Sequence, residues 1–350
     1  MLTGKGVLIT GGSGSLARVL LRRLLSGEAG VPDRIRLFSR DEAKQHDLRL
    51  EFQHRRVATD EVIYHNYDNI VQFQIGDVRD ADSIRTALDG IQVVFHTAAM
   101  KQVPTCEYFP YEAVRTNVGG AENLVHAIRA GGTTVETVIG ISTDKACSPV
   151  NVMGMTKALQ ERLLVRANID CAGTRFVCVR YGNVIASRGS VVPLFLEQIA
   201  NGGPVTVTSP EMTRFLLSLH QAVDVIFAAL GSAQPGEIYV PAVPSARIVD
   251  VAEALVGDRS LDVVVTHIRP GEKVHELLVS GEEALRTGWR DGYYIVQPLL
   301  PELKAEPLEL VLDDELSSGM SPLAKEQVAE LLERHGVSAG MPVPADDLLR

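Results

Sequence analysis

Gly6-Val7-Leu8-Ile9-Thr10-Gly11-Gly12-Ser13-Gly14-Ser15-Leu16-Ala17 is the stretch that decides the fold. The apolar run up to Thr10 is too short for a helix and reads as a buried strand. A glycine cluster follows it, and from Ser15 apolar residues recur at helical spacing. The loop satisfies G-x-G-x-x-A as Gly12, Gly14 and Ala17, and T-G-x-x-G-x-x-A as Gly11, Gly14 and Ala17. Such glycines allow a tight turn and let the backbone approach a pyrophosphate; a small residue at 17 lets the helix pack closely on the strand. The helix N-terminus adds unpaired N–H groups and a positive dipole end. Gly11, Ser13, Gly14, Ser15 and Leu16 are therefore candidate contacts to a dinucleotide; a structural glycine turn is the bland alternative.

Outward from this stretch, β-rich runs alternate with helical periodicity. Strands are predicted over 7–10, 35–38, 71–75, 93–96, 135–141 and 176–179, and helices over 15–25, 43–57, 81–88, 111–130 and 153–167. This alternation predicts an α/β chain with a Rossmann-type, doubly wound parallel sheet over residues 1–180. After about residue 181, Gly and Pro become frequent, and residues 181–300 read as a smaller C-terminal substrate-binding lobe that shares elements with the first. The tail, 301–350, carries one expected helix over 322–335, with Ser321 as N-cap.

The chain of 350 residues is 45% hydrophobic and has a formal net charge of −10, which argues against a nucleic-acid or anionic-membrane surface. No apolar run is long enough to span a bilayer and the N-terminus does not read as a signal peptide, so a cytoplasmic protein is expected. Cys106, Cys147, Cys171 and Cys178 have no metal-ligand spacing and read as buried thiols; no metal is expected.

The second strand ends Phe38-Ser39-Arg40-Asp41, where an NAD site wants an acidic residue for the ribose hydroxyls. Ser39 and Arg40 stand there instead, and Arg40 with Lys44 could hold a 2′-phosphate, which favours NADP; Asp41, shifted by one, keeps NAD open. Asp77 and Val78 close the third strand, where a carboxylate can meet an adenine amino group. Ala98 and Ala99 follow the fourth, where small residues let a cofactor lie against the sheet edge.

Ser142-Thr143-Asp144-Lys145 follows the fifth strand and emerges at the sheet's carboxyl edge. Beyond it, Met153 and Lys157 share a helix face. A short-chain dehydrogenase carries Tyr at the first of these positions and Lys at the second. Here the Tyr is Met, and none of the eight Tyr residues has Lys four positions later. Either catalysis is lost, or Asp144 and Lys145, adjacent in a water-poor site with pKa values moved toward neutrality, handle the proton.

Thr143-Asp144-Lys145, the Asn-x-Met-Gly-x-x-Lys run Asn151 to Lys157, Arg180-Tyr181-Gly182-Asn183-Val184, Ser187-Arg188-Gly189-Ser190-Val191-Val192-Pro193, Met212-Thr213-Arg214-Phe215, Ala99-Met100-Lys101-Gln102-Val103-Pro104 and Arg269-Pro270-Gly271-Glu272-Lys273 together resemble the UDP-N-acetylglucosamine 4,6-dehydratases, from about Gly6 to Leu285. The soluble, short forms of capsule and O-antigen pathways look nearest. Flagellar-sugar dehydratases keep the Tyr, and membrane-anchored long forms carry an N-terminal extension.

The resemblance implies an NADP-dependent enzyme acting on a UDP-sugar, expected to invert C5, and a homo-oligomer, dimer or hexamer. It implies that Lys145, if neutral, takes the C5 proton; that Asp144, if protonated, gives one to the departing C6 hydroxyl; and that Thr143 meets the C4 oxygen. The group that deprotonates the C4 hydroxyl stays open between Asp144 and Lys145. Lys157 would fix the nicotinamide ribose; Asn117 would support the site; and Tyr181, Asn183 and Val184 would border the cofactor. Lys101, Asn183, Arg188, Val191, Pro193, Arg214, Arg269 and Glu272 would meet the substrate. Two other readings remain: a nucleotide-sugar epimerase, and a non-catalytic NADP-binding sensor.

Overall fold

The computed structural model describes residues 1–54, 70–185, 190–303 and 307–337. Its strands are β1 (Gly6–Thr10), β2 (Arg34–Ser39), β3 (Val71–Ile75), β4 (Val93–His96), β5 (Thr137–Ile141), β6 (Arg175–Val179), β7 (Asn183–Val184), β8 (Val205–Val207), β9 (Thr213–Leu217), β10 (Ile238–Pro241), β11 (Ser245–Arg247), β12 (Val263–Val265), β13 (Leu277–Val279), β14 (Thr287–Arg290), β15 (Tyr293–Val296) and β16 (Leu316–Ser317). The helices are α1 (Ser15–Leu25), α2 (Glu42–His54), α3 (Ala81–Ala87), α4 (Val103–Tyr108), α5 (Pro110–Ala113), α6 (Gly120–Arg129), α7 (Val152–Asp170), α8 (Val191–Ala200), α9 (Leu219–Ser232), α10 (Ile248–Val256), α11 (Gly281–Ala284) and α12 (Lys325–Arg334).

Nine strands form one sheet in the order β14-β15-β10-β6-β5-β4-β1-β2-β3, with helices on both faces. It is parallel from β3 to β10; β15 and β14 run antiparallel at the edge. This is the Rossmann-type doubly wound sheet, and β1, between β2 and β4, marks the point where the winding reverses. β1, β4 and β5 are buried throughout, as strands covered on both faces must be. Leu20 and Leu24 of α1 pack with Val223, Ile226 and Leu230 of α9 on one face. Ile84 of α3, Leu124 of α6 and Leu164 of α7 pack on the other.

The stretch after residue 181 contributes β10, β14 and β15 to the main sheet. It also forms a three-stranded sheet, β11-β9-β7, and a pair, β12-β8. α8, α10 and α12 share a separate core there, including Phe195, Leu255, Val328 and Leu332. β16 of the tail pairs with β13.

Two local expectations change. The helix expected over 111–130 is broken: α5 gives way to a π-helical turn, Val114–Gly119, before α6. The tail helix begins at Lys325, not at Pro322, because Pro322 bridges to Ser245 and the Leu323 N–H donates to the Ser245 carbonyl. The end of the helix expected over 43–57 lies outside the described residues.

Candidate active site

The carboxyl ends of β1, β2, β4, β5 and β6 open into one groove of about 920 Å³. Its floor is the glycine loop. Gly11 has φ +68°, and a Cβ there would sit 2.9 Å from the backbone of Ala98, so only glycine fits between β1 and the loop after β4. Gly14 is the N-cap of α1 and supplies no side-chain cap, which leaves the first-turn N–H groups facing the groove. Ser13, Ser15 and Leu16 line it beside them, with Arg18, which sequence reasoning passed over and which is paired to Glu51.

At the far end of the loop, Ser39, Arg40 and Lys44 line the groove. Asp41 lines the groove with them; its carboxylate accepts from the Lys44 N–H at 3.0 Å and pairs with Lys44 Nζ at 2.6 Å, which holds it below the usual carboxylate range. Ser39 Oγ accepts from buried Gln45. The Arg40 side chain is 63% exposed and lies 4.0 Å from Asp77. Asp77 also lines the groove, but both its oxygens accept from Arg79. Burial would raise its pKa, but the bonds to Arg79 outweigh that and lower it. Val78, Ala98 and Ala99 complete this wall.

The third wall is the turn after β5. Thr143 caps a short 3-10 turn, Asp144–Ala146, and the Asp144 N–H donates to the Tyr181 carbonyl, tying the turn to the end of β6. α7 approaches this turn closely because of Gly154, where a Cβ would lie 2.1 Å from the Lys145 carbonyl oxygen. Asn151 caps α7 by accepting from the Gly154 N–H at 2.8 Å, and its amide donates to Gly271 at 2.7 Å, tethering the loop of Arg269 and Glu272. Asn117, fully buried in the π-turn, bonds the Met100 backbone both ways and donates to Thr156 of α7 at 2.9 Å. It supports the groove from behind without lining it. π-turns of this kind re-aim one side chain without ending a helix.

Thr143, Asp144, Lys145, Met153 and Lys157 share this wall. Asp144 is fully buried; its Oδ1 accepts from the Thr143 hydroxyl at 2.8 Å and from Lys145 Nζ at 3.0 Å, and its Oδ2 has no partner. Met153 is 5% exposed and packs with Cys106 and Ala113, an apolar surface where a phenol would otherwise project. Lys157 donates to the Ile141 carbonyl and to Gln160, and burial pulls its ammonium down to about 8.

The expectation for Lys145 is overturned. Its pKa is not moved toward neutrality: burial pulls it down, but two carboxylates outweigh burial and raise it. The second of them is Glu276, 3.1 Å from Lys145 Nζ and 2% exposed. Sequence reasoning missed this residue. It stands three positions beyond the Arg269–Lys273 motif, and no periodicity marks it.

Among the remaining candidates, Lys101, Tyr181, Asn183, Val184, Pro193, Arg269 and Glu272 line the groove. Arg214 does not. Its guanidinium donates to the Thr213 and Val274 carbonyls and is buried beside Glu276, so in this conformation it does not face a substrate. Val191 begins α8 and lies outside the groove lining. Arg188 falls outside the described residues. Among the described residues, no group of three His, Cys, Asp or Glu could hold a metal, and no helix is long and apolar enough to cross a membrane.

Residues 7–298 match the family described as polysaccharide biosynthesis protein. The chain belongs to that family. A protein of Rickettsia conorii named UDP-glucose 4-epimerase is 41% identical over 344 residues, 95% of this chain and 96% of that one. The X-ray structure of Pen from Bacillus thuringiensis superposes with a TM-score of 0.86 at 31% identity, covering 97% of this chain and all of that one. DesIV, a dTDP-glucose 4,6-dehydratase from Streptomyces venezuelae solved with NAD and TYD bound, gives a TM-score of 0.64 at 21% identity over 77% of this chain and 86% of its own; that likeness is one of fold.

Proposed function

We propose that this family member is an NADP-dependent 4,6-dehydratase of UDP-N-acetylglucosamine. One observation carries the reading. A hydrogen-bonded Thr143-Asp144-Lys145 turn and Lys157 share the groove of the Gly11–Gly14 loop, while apolar Met153 holds the place of a catalytic phenol.

The residues present fit a dinucleotide. The cradle at Gly11 would be filled by any Cβ, and the free first-turn N–H groups of α1 suit a pyrophosphate. Asp41, though in the groove, is engaged by Lys44 at the start of α2, while exposed Arg40 suits a 2′-phosphate. When bound, NADP supplies reversible removal of hydride from the sugar's C4 and its return to C6.

The chain's own groups manage the protons. Asp144, whose Oδ2 has no partner, takes the C4 hydroxyl's proton and so becomes the acid, while Lys145, with Nζ 3.0 Å from Oδ1, becomes the base when its ammonium gives a proton to solvent. In that state Lys145 takes the proton from C5, acidified by the neighbouring ketone, and Asp144 gives its proton to the C6 oxygen as water departs. Thr143 hydrogen-bonds the C4 oxygen. Of the two groups that could first take the C4 hydroxyl's proton, Asp144 has the unpartnered oxygen, Oδ2. Lys157 fixes the ribose, and Lys101, Asn183 and Arg269 reach the sugar and its diphosphate.

The names of the relatives favour a second reading, a 4-epimerase. Incubation with UDP-N-acetylglucosamine and NADP in heavy water separates the two. A dehydratase product is lighter by one water and carries deuterium at C5; an epimerase product keeps its mass and differs at C4. Lys145→Ala should bind NADP normally and lose dehydration by about 10²-fold or more. Full turnover in that variant would remove Lys145 from the mechanism.

A further inference from the structure

We propose that Glu276, anchored by Ser318 of the C-terminal segment, is a positioning residue for Lys145: its carboxylate is the second counter-ion that aims the ammonium along the groove wall and governs when it can release a proton. The inference rests on the role given to Lys145 above.

Glu276 does not line the groove; it stands behind Lys145, at the entry to β13. Its Oε1 pairs with Lys145 Nζ at 3.1 Å, so the ammonium is held between Asp144 Oδ1 and Glu276 Oε1. Its Oε2 makes no hydrogen bond, and Lys273 Nζ lies 4.0 Å away. From β9, Arg214 Nε lies 3.9 Å from Oε1. Among the described residues, the charged groups around Lys145 are thus Asp144 on its own turn, Glu276 with Lys273 on the loop before β13, and Arg214 on β9. Asp144 and Glu276 favour the ammonium, while Arg214 and burial oppose it.

The backbone that carries this carboxylate is fixed from the tail. The Glu276 N–H donates to Ser318 Oγ at 2.9 Å, the Ser318 N–H donates back to the Glu276 carbonyl, and Ser318 Oγ also shares a bond with Thr213 Oγ1. Ser318 is fully buried. A buried carboxylate with an unsatisfied oxygen is costly to keep for stability alone. Its use is electrostatic. It keeps Lys145 protonated until the substrate and Asp144 change the balance.

The test is the protonation of Lys145 read without substrate, by competitive labelling with acetic anhydride across pH and mass spectrometry of the Lys145 peptide. In Glu276→Gln the labelling midpoint should move to lower pH, because the neutral amine forms earlier once a counter-charge is gone. Glu276→Asp, which keeps the charge but withdraws it, should lie between, and Glu330→Gln, on the surface, should match the unmodified protein. The rising limb of kcat/KM for UDP-N-acetylglucosamine should move down with the midpoint, while KM stays within about twofold. An unmoved midpoint in Glu276→Gln overturns the proposal. If that variant does not fold, an unmoved midpoint in Glu276→Asp does so. Absence of any turnover in the unmodified protein sinks the dehydratase reading instead and leaves the midpoint to decide the role of Glu276.

Discussion

Arg40 and Lys157 are where single side chains set measurable properties. Arg40 is the exposed cation at the end of β2, 4.0 Å from Asp77, which is itself bonded to Arg79. Arg40→Ala should weaken NADP by about tenfold to a hundredfold and leave NAD nearly unchanged, as a lost charge-assisted phosphate contact would; equal weakening of both would assign the site to NAD. Lys157 carries a pH signature. Its folded value, about 8, lies below its ordinary 10.5 because of burial. Between those values the unfolded chain holds more protons, so stability rises with pH across that window. Lys157→Met should flatten this rise by roughly 3 kcal/mol, measured by urea unfolding at intervals from pH 7 to 10.5. A variant with the same slope as the parent would show that Lys157 is not the group responsible. The residues of the glycine loop were legible in the sequence because a phosphate cradle is local. Glu276 was not, because its partner comes from a distant segment.

At the scale of elements, the site depends on how closely α7 lies against the Asp144–Ala146 turn. Gly154→Ala would place a methyl 2.1 Å from the Lys145 carbonyl, which is backbone and cannot swing away. The variant should lose activity by about 10²-fold or more, since a shift of about 1 Å in reacting groups is enough for that. Its stability should fall by roughly 1–3 kcal/mol, as overpacking does. Unchanged kcat in a folded Gly154→Ala protein would show that α7 does not set the geometry of the turn. The sequence announced Asn151 as a cap and Met153 and Lys157 as one face. It did not announce the π-turn, because residues 111–130 keep helical periodicity throughout, and the extra backbone residue follows from the bonds Asn117 makes to Met100 and Thr156.

For the whole molecule, the C-terminal segment is part of the second core. α12 packs Val328, Leu331 and Leu332 against Leu255 and Val251 of α10. Leu332 is 2% exposed, so Leu332→Ala should cost about 2–4 kcal/mol, read from the urea midpoint, with NADP affinity unchanged because the groove is elsewhere. A negligible cost would detach α12 from that core.

The strand order through β6, the glycine loop, the missing phenol and the placing of Asp144 and Lys145 at the end of β5 were determined by the sequence alone. Each depends on residues adjacent in the chain or repeating at a helix or strand period. Only the tertiary structure decided that Arg214 is buried away from the groove and that Lys145 lies between two carboxylates. Those outcomes depend on which distant segments the sheet brings together, and charges that meet across the fold leave no period in the chain.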